Sequence, residues 1–211
     1  MPISRQEIKQ IAKQRFEQYR SSCIAVYVLF TLLSVAVSGL TYGLGFWLIM
    51  PVLYIAMCGF FYRIYLGDAL TVSDFFSSMF DNYLRKTGAY LWMMLWTGLW
   101  SMLFLIPGII KALSYMLTPY IVFNHPNVTA TNALKLSMRM TNGYKADLFI
   151  AFLSFIGWTI LSALTLGILE IIYVGPYRQT TFGGIYQELE KSALENGTVT
   201  QEMLDGTIEP V

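Results

Sequence analysis

From Ser21 to Tyr62 the chain runs 42 residues without one charged side chain. Two further charge-free stretches follow, Thr87 to Ile110 and Leu148 to Leu169. A helix needs about 20 apolar residues to cross a bilayer, so each stretch is long enough to lie in hydrocarbon. The charges are pushed to the ends: residues 1–20 hold seven and residues 188–211 hold seven more. Overall only 13% of residues are charged, against about a quarter in a soluble domain. The pattern predicts an all-α, polytopic membrane protein. A net charge of +1 excludes nucleic-acid binding by bulk charge.

Hydrophobic periodicity and turn residues predict six spans, at about 23–40, 46–66, 87–106, 109–123, 146–164 and 167–186, in a transmembrane domain covering 23–187. The spans pair as three hairpins, and an interfacial amphipathic helix precedes each one. The first such helix lies within residues 1–22, where Ile8, Ile11, Ala12, Phe16 and Tyr19 recur at helical spacing among five basic residues. It is expected to lie on the inner membrane surface, or else to dock on the protein itself. The second carries Phe75, Phe76, Met79, Phe80 and Tyr83, with Thr71 or Ser73 as its N-cap. The third follows Thr129 or Thr131 and ends at Asn142-Gly143. Pro107-Gly108 is read as the break between the third and fourth spans. The tail 188–211 has six acids and one lysine, which predicts a mobile acidic cytoplasmic segment. Cys23 and Cys58 fall at different depths of their spans, so free thiols are expected.

With the N-terminus inside, thirteen of the fourteen Lys and Arg residues fall on the inner side. The positive-inside rule therefore predicts a cell-membrane protein with both termini cytoplasmic. Only Lys111 is left on the outer side. The blocks also echo one another: Phe16-Glu17-Gln18-Tyr19 resembles Phe80-Asp81-Asn82-Tyr83, and Gly45, Gly108 and Gly167 are nearly evenly spaced. This suggests a threefold repeat around a common axis.

Ionisable groups within spans are the first functional candidates. Lys111 and Glu170 each stand a few residues past an outer turn and are read as a candidate pair. Arg178 lies eight residues beyond Glu170, two turns along roughly one face. Pro119 removes the helical partner of the Tyr115 carbonyl, and Pro176 that of Ile172. Freed carbonyls can line a polar cavity or be satisfied by a neighbouring Ser or Thr. Trp92, Trp96 and Trp100 share one helix face, as a packing or lipid-facing stripe. No nucleophile motif, phosphate loop or metal-ligand spacing is present in the sequence, so neither catalysis nor a cofactor is expected. The expected partners are the lipid bilayer and a membrane protein, lipid or peptide. The function expected is a non-enzymatic accessory or protective factor of the envelope. The alternative is a small transporter with a path near Lys111, Glu170 and Arg178.

From Leu103 to Tyr186 the chain carries Ile106-Pro107-Gly108-Ile109-Ile110-Lys111, Ser114-Tyr115 and Thr118-Pro119-Tyr120. It continues with Gly143-Tyr144-Lys145, Leu153-Ser154-Phe155-Ile156-Gly157-Trp158, Leu164-Thr165-Leu166-Gly167-Ile168 and Pro176-Tyr177. In these residues it resembles a bacterial membrane family known as domain of unknown function 975, common in Gram-positive bacteria. The resemblance implies a multi-span protein and carries Lys111 as a family position. It supplies no activity.

Overall fold

The computed structural model describes residues 4–40 and 44–210. Every regular element among them is helical. Helix α1 (Arg5–Gln18) starts at Ser4, whose hydroxyl accepts the Glu7 N–H while the Glu7 carboxylate accepts the Ser4 N–H. This reciprocal cap satisfies two of the helix's orphan donors. Helices α2 (Arg20–Leu40) and α3 (Leu44–Leu66) follow. Next, α4 (Val72–Phe80) is capped by Thr71 with Asp74. Those two bonds from Thr71 hold the exposed Asp74 carboxyl below its ordinary value.

Helix α5 (Tyr83–Leu103) gives way at Phe104 to α6 (Leu105–Tyr115) and then α7 (Thr118–Asn124). Helix α8 (Ala130–Met140) is capped by the Thr129 hydroxyl and stops before Gly143, whose φ is +83°. Helices α9 (Lys145–Leu153) and α10 (Ile156–Leu164) precede a π-helical turn, Glu170–Val174. The chain closes with α11 (Gly175–Glu195) and α12 (Gln201–Leu204).

Four helical stretches have the length and apolarity to cross a membrane: Arg20–Gly39, Trp47–Leu66, Ile106–Asn124 and Lys145–Leu164. The molecule is a polytopic membrane helical bundle. Its core is built around α3 and α11, which cross closely because Gly183 and Gly184 present no side chain there. A Cβ on Gly183 would stand 2.8 Å from the Cα of Tyr62. Around the crossing, Tyr186 stacks on Tyr120 at 5.2 Å and meets Tyr62 edge-on at 5.1 Å. A second cluster joins Phe16, Phe60, Phe61 and Phe75. Away from this core, large apolar side chains stand exposed on α2 (Leu32, Val35), α5 (Leu95, Leu99, Met102) and α10 (Ile160, Leu164). Such a surface suits hydrocarbon and not water.

The structure decides or changes three of the sequence expectations. The apolar face of α1 does not meet lipid: Ile8, Ala12 and Phe16 are at most 1% exposed. Phe16 packs edge-on against Tyr173, and the Tyr177 hydroxyl reaches the Lys9 carbonyl. The acidic tail is folded, because α11 runs on to Glu195 and Leu189, Ala193, Val199 and Leu204 are buried. Pro107-Gly108 is not the break, which falls earlier at Phe104. Gly108 instead lets α6 approach α5, since a Cβ there would lie 2.8 Å from the Cα of Ser101. The fifth predicted span is present as Lys145–Leu164, with a turn at Ser154-Phe155, where Lys9 of α1 donates to the Ser154 hydroxyl at 2.6 Å and covers the Phe155 ring.

Folding the tail costs something at Glu188. Burial pushes its carboxyl above the ordinary 4.5. A raised carboxyl pKa means the folded state holds its proton longer than the unfolded state. Stability is then lost as pH rises from the unfolded value through the folded one. Glu188→Gln is therefore expected to melt higher than the parent at pH 7 and alike at pH 4. An equal difference at both pH values would show that the carboxylate charge is not the cause.

Candidate functional site

Helices α5 and α6 present two different faces, and a recess lies on each. On one, Trp92, Trp96 and Trp100 recur every four residues and so share a stripe. Trp92 and Trp96 meet edge-on at 5.7 Å. With Lys111 and Tyr115 of α6 and Thr131, Leu134, Lys135 and Met138 of α8, they line a groove of about 250 Å³. The Lys111 ammonium stands 4.9 Å from the Trp100 ring centre and 5.7 Å from that of Tyr115. It donates to the Met138 sulfur at 3.7 Å. Lys135 donates to the Pro210 carbonyl at 3.1 Å. The tryptophan stripe, expected to be packing or lipid-facing, is thus one wall of a cation-containing groove.

On the other face, Met93 and Thr97 of α5 meet Ile109, Ala112 and Leu113 of α6 and Met116 just beyond its end. Across from them stand Tyr54 of α3, Pro119 of α7 and Phe149, Phe152, Leu153 and Ile156 of α9 and α10. They enclose an almost wholly apolar groove of about 480 Å³, within the range of small-molecule sites. Tyr115 lines both grooves.

The expected Lys111–Glu170 pair is not formed. Glu170 pairs with Arg178, with Oε1 and Nη2 2.5 Å apart, and accepts the Tyr27 hydroxyl at 3.3 Å. Two features of the chain bring this about. Eight residues place Glu170 and Arg178 two turns apart on one face, and α2 brings Tyr27 alongside through the side-chain-free Gly175. The turn between them is widened: the Gly175 N–H donates to the Glu170 carbonyl five residues back, one residue before Pro176. Lys111 meanwhile turns toward α8 and joins Lys135. Glu170→Gln leaves Arg178 without its anion, so it is expected to lower the melting temperature more than Glu170→Gln with Arg178→Gln. Equal shifts would show that the two charges act independently.

Pro119 does not open a polar cavity. The helix breaks at Met116-Leu117, and Ser137 of α8 closes the gap: its hydroxyl accepts the Leu117 N–H at 3.2 Å and donates to the Ser114 carbonyl at 2.7 Å. Two further polar centres carried no sequence motif. Arg85 gathers the carbonyls of Val122, His125 and Val128 at 2.8, 2.6 and 2.7 Å. His125 Nε2 lies 2.7 Å from the Glu190 carboxylate, which also accepts the Tyr186 hydroxyl at 2.7 Å. The turn between α7 and α8 is thereby tied to both α5 and α11. Both cysteines are buried free thiols, and no group of three or more His, Cys, Asp or Glu side chains is placed to hold a metal among the described residues.

Residues 93–193 match the family described as "Protein of unknown function (DUF975)". That match covers the two grooves on α5 and α6 except Tyr54 and Trp92, and also the Glu170–Arg178 pair and most of α11. No curated protein and no solved structure matches the chain.

Proposed function

We propose that this membrane protein with a DUF975 domain is a non-enzymatic binding protein of the cell envelope. It takes a lipid or an amphipathic peptide from the bilayer into the grooves beside α5 and α6, and so acts as an accessory or protective factor. One observation carries the reading: a cation-containing, tryptophan-lined groove and a large apolar groove share Tyr115 in their walls. An amphiphile needs that combination, with a charged or polar end at one place and an apolar end beside it.

In this reading the chain makes six passes as three hairpins, with α1, α4 and α8 as the amphipathic helices ahead of them. Both termini are cytoplasmic. The basic residues support this orientation, since thirteen of fourteen fall inside. Cysteine labelling on intact cells is expected to reach Leu166→Cys, at an exposed turn, and to reach Thr207→Cys only after permeabilisation. The opposite pattern would reverse the orientation.

A transport path from Arg178 to Lys111 has less support, because Arg178 is held by Glu170 and Lys111 occupies a separate groove. Binding is tested by purification in mild detergent followed by native mass spectrometry. Retained lipid or peptide at a fixed stoichiometry is expected. A protein that carries neither, with its melting temperature unchanged by added lipid, would overturn the reading.

A further inference from the structure

We infer that the Trp92–Trp96–Trp100 groove is a headgroup site for an anionic phospholipid, facing Lys111 and Lys135, with one acyl chain of the same lipid in the apolar groove behind Tyr115. The inference rests on the binding function proposed above and names its ligand class.

The first argument is the state of Lys111. Among the described residues Lys111 forms no ion pair, a state it shares with Lys9, Lys86 and Lys135 and not with Arg63 or Arg178. Lys111 has two aromatic faces and a thioether instead. Aromatic faces attract a cation but leave its charge uncompensated. A lysine within a membrane helix calls for an anion or for water, and a lipid phosphate is the anion a bilayer supplies.

The second argument is the company it keeps. Lys135 brings a second ammonium to the same groove. Indoles favour the headgroup level of a bilayer, where an apolar ring can carry a polar N–H. An anionic leaflet attracts each Lys or Arg near it by about 1 kcal/mol, roughly a fivefold preference.

The third argument is the adjoining space. The apolar groove is lined by Phe149, Phe152, Ile109, Leu113, Met116 and Ile156, among others, and shares Tyr115 with the headgroup groove. It matches the chemistry of an acyl chain and offers nothing to a hydrophilic solute.

The test uses the full chain in mixed micelles with phosphatidylglycerol and phosphatidylcholine at equal amounts, and native mass spectrometry to count what is retained. The parent is expected to favour phosphatidylglycerol by about fivefold or more. Lys111→Gln should bring that preference down toward one, while Lys111→Arg and Lys13→Gln should keep it. Ile109→Trp, which fills the apolar groove, should reduce retention of both lipids alike. If Lys111→Gln fails to fold, Lys135→Gln carries the same comparison.

An unchanged preference in a well-folded Lys111→Gln protein, together with loss of both lipids in Ile109→Trp, would overturn the headgroup site and leave the groove reading standing. No effect of either variant would overturn both. A peptide retained in place of lipid would overturn the ligand class alone.

Discussion

Gly183→Ala is expected to cost about 3 kcal/mol or prevent folding outright, because the added methyl meets main chain and not a movable side chain. Its Cβ would lie 2.8 Å from the Tyr62 Cα, 3.1 Å from the Tyr62 nitrogen and 3.3 Å from the Phe61 carbonyl oxygen. Relief requires moving α3 away from α11, which would also open the Tyr62–Tyr186 contact. Gly98→Ala in the middle of α5 is the matched control. Nothing lies within 4 Å of its would-be Cβ, so the better helix propensity of alanine should stabilise by about 0.5–1 kcal/mol. Thermal melting in detergent should separate the two variants in opposite directions. Similar melting curves would mean that the α3–α11 crossing is not the tight contact that organises the bundle.

Arg85→Ala is expected to have the next largest effect, about 3 kcal/mol, since a hydrogen bond from a charged donor is worth about 1.5–3 kcal/mol and several are lost together. The carbonyls of Val122, His125 and Val128 would lose their shared donor, and the turn carrying His125 would be released from α5. Arg85→Lys should recover only part of the loss. A lysine ammonium can serve one or two of these oxygens but cannot reproduce the guanidinium fork. If the lysine variant melts with the parent, charge alone would explain the site and the fork geometry would be irrelevant.

Local signals were read well from the sequence. Thr71 and Thr129 both cap the helices expected of them, and Gly143 stops α8 with a positive φ. These depend on a few neighbouring residues, so spacing alone reveals them. The partner of an amphipathic face is a different matter. Ile8, Ala12 and Phe16 mark a face, but the same period serves a helix lying on lipid and one lying on α11. The acidic tail misled for a related reason. Its six acids dominate the composition, while the four residues that dock it, Leu189, Ala193, Val199 and Leu204, are sparse.

The candidate site was legible in its membership more than in its connections. Lys111, Tyr115 and Pro119 line the grooves, and Glu170 and Arg178 come together as their spacing on one face allows. Counting residues from a turn places a lysine's Cα in depth but says nothing of where its long side chain leads. For that reason Lys111 was matched with Glu170, although its ammonium turns to Trp100 and Met138. Arg85 and Ser137 act on main-chain oxygens brought near only by the fold, and no sequence motif marks such a role.

The central claim, that an amphiphile occupies the grooves on α5 and α6, is tested most directly by a photoreactive phospholipid with its reactive group on the acyl chain. After irradiation in native membranes, peptide mapping locates the attached lipid. Labelling concentrated on Leu113, Met116, Phe149 and Phe152, and reduced by Ile109→Trp, is the predicted result. Labelling spread evenly over the exposed apolar residues of α2, α5 and α10, with no enrichment in the groove and no response to Ile109→Trp, would contradict the account.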